Sequence, residues 1–156
     1  SRPRPLCVVL MPVRSIIRPA LAFCDAMNMP PMDQNAAMFY NLTIIDEHYG
    51  GLAFDDEAER CAAALGDPTK KVMIMGNHGV MVMGDTIAET FNRLYYFERA
   101  AETYIQALQT GRPLRILSDA VAEKVAHETD NYHGFAERHL ENLMTILDKE
   151  GADYAN

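Results

Sequence analysis

The sequence predicts an α/β fold with a short central sheet, helices packed on it and a helical C-terminal end. Three observations predict it. The runs "KVMIM" (71–75) and "VMVM" (80–83) are short and continuously apolar, as strands buried on both faces are. A long amphipathic segment, 86–109, comes directly after them. Two further segments with helical start signals then close the chain, giving the order helix, strand pair, long helix, two more helices.

Taken in order, residues 1–31 carry six prolines, Pro3, Pro5, Pro12, Pro19, Pro30 and Pro31, which break every extended element. Within them "LCVVLM" suits a short strand and "ALAFCDAM" one or two helical turns. In "MDQNAAMFYNLTII", Asp33 suits an N-cap, and Met38, Leu42 and Ile45 lie near one helical face. Its β-branched end can instead turn into a strand. "FDDEAERCAAALGD" predicts a helix with Asp56 as cap and Gly66 as stop. Thr86 with Glu89 forms a capping box for the long helix. On it Ile87, Phe91, Leu94, Ala101, Ile105 and Leu108 recur at helical spacing, with Glu89, Arg93 and Arg99 elsewhere on the wheel. Gly111 and Pro113 end it. A helix starts at Ser118, and a last one covers "GFAERHLENLMTILDKEG", with Leu140, Leu143 and Leu147 facing inward.

Composition narrows the function classes. A chain of 156 residues, 49% hydrophobic and 23% charged, has enough material for one domain with a real core. The net charge of −8 argues against non-specific nucleic-acid binding. No apolar run reaches bilayer length. The charge is uneven: residues 1–24 hold Arg2, Arg4, Arg14 and Arg18 and no acid. A signal peptide fits this segment poorly, because the apolar run Leu6–Met11 is short and Pro12, Arg14 and Arg18 interrupt the chain beyond it. Cys7, Cys24 and Cys61 are widely spaced and odd in number, which fits a reducing compartment, hence a cytoplasmic location, and no disulfide scaffold. Ser1 in place of Met predicts a processed, trimmed or partial chain.

The feature with chemical content is the Gly-Asn-His-Gly junction between the two greasiest strands. A histidine there projects from a rigid base. Gly76 and Gly79 permit tight or positive-φ backbone and leave space beside the imidazole, and Asn77 tolerates such turns. That suits a metal ligand, which must be held within a few tenths of an ångström. A plain hairpin turn that happens to contain histidine accounts for the same four residues, and spacing alone favours it. His48, beside Tyr49-Gly50-Gly51, reads as an exposed turn residue. His127, His133 and His139 are six apart, so successive rings fall on different faces of a helix and do not share a metal. His133 with Glu137 reads as a surface pair, Tyr95, Tyr96 and Tyr104 as packing or interface residues, and the strand methionines as core filler.

"KKVMIMGNHGVMVMGDTIAETFNRLYYFERAAETYIQAL" resembles the core signature of the class II aldolase and adducin family, through Asn77-His78-Gly79, the strand ending in Gly84, and the "LYYFERAAETY" helix. "MPPMDQNAAMFYN" and "EHYGGLAFDDEAERCAAALGD" resemble it too, and the "ILDKEGADY" end resembles a subgroup of aldolase class 2 proteins without assigned activity. The resemblance covers about 29–156, so 29–156 is expected to be the C-terminal part of such a domain and 1–28 a poorly matching, native or off-frame segment. It implies a metal-dependent lyase that cleaves or rearranges small hydroxy-carbonyl compounds through a zinc-stabilised enediolate. It also implies Zn2+, or another divalent metal, held by three histidines, of which His78 is the third. The other two form a His-x-His pair expected upstream, with a catalytic carboxylate further upstream still. No histidine precedes His48, so the expectation for this chain alone is weak or absent metal binding and no turnover. The alternative is a non-catalytic, adducin-like assembly or protein-binding module. A small-molecule carbonyl substrate and a homo-oligomer, a tetramer by resemblance, are the partners implied; nucleic acid and membrane are not. Apolar sheet surface left uncovered would drive self-association.

Overall fold

The computed structural model describes residues 7–12, 28–48 and 56–153. Four strands form one sheet: β1 (Cys7–Pro12), β2 (Thr43–Asp46), β3 (Val72–Met75) and β4 (Gly79–Gly84), in the order β1-β4-β3-β2. β3 and β4 form an antiparallel hairpin with Met75 opposite Gly79. β1 runs antiparallel to β4, and β2 parallel to β3. The expected strand pair is therefore the centre of a wider sheet, and "LCVVLM" supplies one of its edges. "ALAFCDAM" lies outside the described residues.

Among the described residues five helices accompany the sheet: α1 (Gln34–Ala37), α2 (Asp56–Ala64), α3 (Ile87–Gln109), α4 (Asp119–Asp130) and α5 (Phe135–Glu150). The segment around 32–45 resolves in favour of both readings in turn. Asp33 caps α1 by accepting from the Ala36 N–H at 2.7 Å. The helix stops after one turn, Asn41 takes a left-handed φ of 59°, and the β-branched residues become β2. Asp56 is the first helical residue of α2 rather than its cap. In α3, Thr86 Oγ1 accepts from the Glu89 N–H at 3.1 Å. Glu89 reaches back one residue further than a capping box requires, to the Asp85 N–H at 2.8 Å.

The core lies between the sheet and α3. Val72, Ile74, Val80 and Val82 meet Phe97, Ala101 and Tyr104 of α3 and Phe39 from the turn after α1. Phe39 and Phe97 pack edge to face, centroids 5.3 Å apart. Met73 and Met75, on the opposite face of β3, are also fully buried, so this strand is enclosed on both sides as its unbroken apolar run implies. Gly84 lets the chain enter α3: a Cβ there would lie 2.8 Å from the Thr90 backbone nitrogen.

Two expectations about helix faces need correction. On α3 the buried set is Ala88, Thr90, Asn92, Phe97, Ala100, Ala101 and Tyr104, whereas Ile87 is 70% exposed and Leu108 is exposed. Ala101 is core and Leu94 packs against it, as the spacing implies, while Ile87 and Leu108 at the two ends face outward and Phe97 and Tyr104 supply the bulk of the contact. On α5 Leu140 and Leu143 are only half-buried and Leu147 is exposed, while Ala136 is buried. In its C-terminal half Met144, Ile146 and Leu147 are exposed. Among the described side chains the exposed large apolar groups lie on the helices and the segments joining them, while β3 and β4 are almost wholly enclosed and β2 is half-buried.

Candidate functional site

β2 and β3 run parallel, so their carboxyl ends lie together, and the hairpin turn that begins β4 lies at the same end. Open α/β sheets bind ligands outside such ends. His78 sits there, exposed, in the turn 76–78. Its N–H donates to the Met75 carbonyl at 3.0 Å and closes the turn. The positive φ of 56° falls on Asn77, not on either flanking glycine. Gly79 is the first residue of β4. Gly76 lies against the chain leaving β2: its N–H donates to the Asp46 carbonyl at 2.9 Å, and a Cβ on it would be 3.5 Å from the Glu47 Cα. Gly79 starts a strand, Gly76 sits in ordinary contact with the chain after β2, and asparagine supplies the left-handed bend.

The turn rests on Asp46. Its carboxylate, only 9% exposed, accepts from Arg60 Nε and Nη2 at 3.2 and 3.1 Å and from the His48 N–H at 3.0 Å. Arg60 Nη2 also donates to the His48 carbonyl at 3.3 Å. β2, the turn after it, α2 and the His78 turn are joined through this one residue, and His48 is exposed beside the same sheet end.

The other candidate residues disperse. His127 is exposed on α4, and His133 is exposed in the α4–α5 turn. His139 on α5 is half-buried, with Nδ1 2.8 Å from Asn92 Oδ1 and its ring 4.7 Å from that of Tyr95. Asp33 is a cap, and Tyr104 is core. Among the described residues no group of three His, Cys, Asp or Glu is placed to hold a metal ion. One imidazole does not retain zinc, which takes three or four protein ligands. The described residues alone therefore do not fit the metal that the resemblance implies, and no reaction step can be derived from them.

Sequence reasoning passed over Asn92 and read Arg93 only as a residue off the apolar face of the helix. Arg93 donates to the Met83 carbonyl at 2.9 Å and pairs with Asp130 at 2.8 Å and Glu89 at 3.4 Å, tying β4, α3 and α4 together. An asparagine inside a long helix, where it is a poor helix former, is the signal that marks a buried polar contact there.

Residues 15–105 match the Class II Aldolase and Adducin N-terminal domain. The chain belongs to that family. Among relatives of this class II aldolase and adducin chain, a Caulobacter vibrioides protein named "Putative aldolase class 2 protein" is 36% identical over 69% of this chain and 42% of its own length. Human beta-adducin is 33% identical over 63% of this chain and 14% of its own length. An aldolase II superfamily protein from Pseudomonas syringae has a solved structure that superposes with a TM-score of 0.82 at 27% identity, covering 96% of this chain and 59% of that one. The chain thus spans under two thirds of each of these relatives. Family membership and the α/β architecture with its helical C-terminal region stand as expected. No helix among the described residues is long and apolar enough to cross a membrane.

Proposed function

We propose that this polypeptide carries part of a metal-dependent lyase site of the class II aldolase type, with His78 as one imidazole ligand. The ion's remaining ligands come from outside the described residues. The observation that carries the reading is the placement of His78, exposed on a short turn braced by Asp46 at the carboxyl ends of β2 and β3. Bound there, a divalent metal would polarise the oxygens of a small hydroxy-carbonyl substrate. The contribution of this chain is narrower: it fixes where the imidazole stands and leaves its ring accessible. Zinc and a carbonyl substrate belong to the complete site, and a tetramer and a cytoplasmic setting to the same proposal; a boundary between 1–28 and 29–156 would cut through the sheet, because β1 (Cys7–Pro12) pairs with β4.

Alone, the chain binds zinc weakly and turns over no aldol substrate, because one ligand of three forfeits most of the binding free energy of about 10–16 kcal/mol typical of structural zinc. Isothermal titration at neutral pH tests this. Weak heat that falls further in His78→Ala is expected; tight one-to-one binding by the parent chain would refute it. The adducin-like assembly module remains the second reading. It is favoured by the lack of a three-ligand group among the described residues and by the identity to human beta-adducin.

A further inference from the structure

Between α1, α3, α4 and the α4–α5 joint lies an open cleft of about 370 Å3, within the size range of small-molecule sites. One wall is aromatic. Tyr132, Phe135 and Tyr96 follow one another there, with centroids 5.6 Å apart from Tyr132 to Phe135 and 5.9 Å from Phe135 to Tyr96, and successive planes inclined by 36° and 31°. Tyr132 is 60% exposed, so the wall is reachable from solvent. Rings of this kind carry negative faces that attract a positive charge. Tyr132 already shows the preference, because the Arg138 guanidinium lies 5.7 Å from its centroid. The surrounding charges agree in sign. Glu128 is the one charged side chain among the described residues lining the cleft. Its contact with Lys124 is long, 3.8 Å between two exposed groups, and leaves most of the carboxylate charge uncompensated. A smaller cavity adjoins, sharing Met38, Thr129, Tyr132 and Phe135, and in it the carboxylates of Glu89, Asp130 and Glu137 stand against the single guanidinium of Arg93.

We propose that this cleft binds a small organic cation, an alkylated ammonium group, against Tyr96, Tyr132 and Phe135 with Glu128 as its counter-charge. Such a group suits the lining better than a metal ion. Its charge is spread over apolar carbon, so it needs ring faces and one nearby carboxylate, whereas a hard cation needs a set of oxygen ligands. An uncharged apolar guest would touch the same rings and gain nothing from Glu128. Arg138 opposes the ligand by its charge, but it is exposed and its head can turn to water. His78 is not among the residues lining the cleft, so the proposal is independent of the metal reading.

NMR titration of the whole chain with tetramethylammonium chloride tests it, beside sodium chloride at matched ionic strength and tert-butanol as an uncharged guest of similar size. The expected result is saturable shifts of the Tyr96, Tyr132 and Phe135 ring protons with tetramethylammonium, in the low-millimolar range or tighter, that neither control reproduces. Two substitutions at exposed positions separate charge and ring from mere apolar contact. Glu128→Gln should weaken binding several-fold, and Tyr132→Leu, which keeps apolar bulk but removes the ring, should weaken it at least as much. No saturation with tetramethylammonium, equal affinity for tert-butanol, or unchanged affinity in either variant would each overturn the proposal.

Discussion

Asn77 shows how much a single backbone angle governs at the residue scale. With φ at 56°, it holds the turn that carries His78, a conformation that costs an ordinary L residue about 1–2 kcal/mol. Asn77→Ala is expected to lower stability by about 1 kcal/mol and Asn77→Gly to leave it nearly unchanged, measured by urea denaturation. A loss of equal size in both variants would mean that the asparagine side chain, not its φ, matters. The sequence pointed to this turn and left the bend open to Gly76, Asn77 or Gly79; the structure places it on Asn77. Gly76 meets the backbone after β2 only at ordinary contact distance, a tertiary contact that no local pattern announces. Asp46 was likewise illegible: its partner Arg60 is fourteen residues away and comes within reach only once α2 lies beside the sheet end.

Elements were legible where a local signal and the final environment agreed. Thr86 and Glu89 marked the start of α3, and the unbroken apolar runs marked β3 and β4. They were less legible where partners set the face. The large aliphatics of α3 and α5 suggested inward stripes, yet Ile87, Leu108 and Leu147 face outward, and the buried set of α3 is Phe97, Tyr104, Thr90, Asn92 and alanines. The packing of α1 and the turn after it against α4 offers a test through pH. A hydrogen bond to Asp119, then burial, then the charges of Asp119 and Glu123 hold the Tyr40 hydroxyl above the usual tyrosine value of 10.0. The folded chain therefore favours the protonated phenol. The tie is present below about pH 10 and is lost as pH rises through the raised value. Titration of tyrosinate absorbance should show one late-ionising tyrosine that returns to the ordinary range in Asp119→Asn. An unchanged titration in that variant would remove Asp119 as the cause.

For the whole molecule, the family match and the sheet at its centre agree, and the distribution of apolar surface carries a consequence. Met144, Ile146 and Leu147 of α5, with Val121 of α4 and Tyr132 between them, are exposed while the central strands are enclosed. Self-association through helical rather than sheet surface is expected, visible in light scattering coupled to size exclusion as a mass above that of one chain. Met144→Lys with Ile146→Lys should shift it toward the monomer, and a single-chain mass in the parent protein would contradict the expectation.

The central claim is that the ring at position 78 is presented to a cation. Imidazole nitrogen NMR during zinc addition addresses it most directly, because all five histidines report in one spectrum. The account predicts that the His78 ring nitrogens shift first and at the lowest zinc concentration, ahead of His48, His127, His133 and His139. A His78 ring that stays unmoved while the others respond would contradict it.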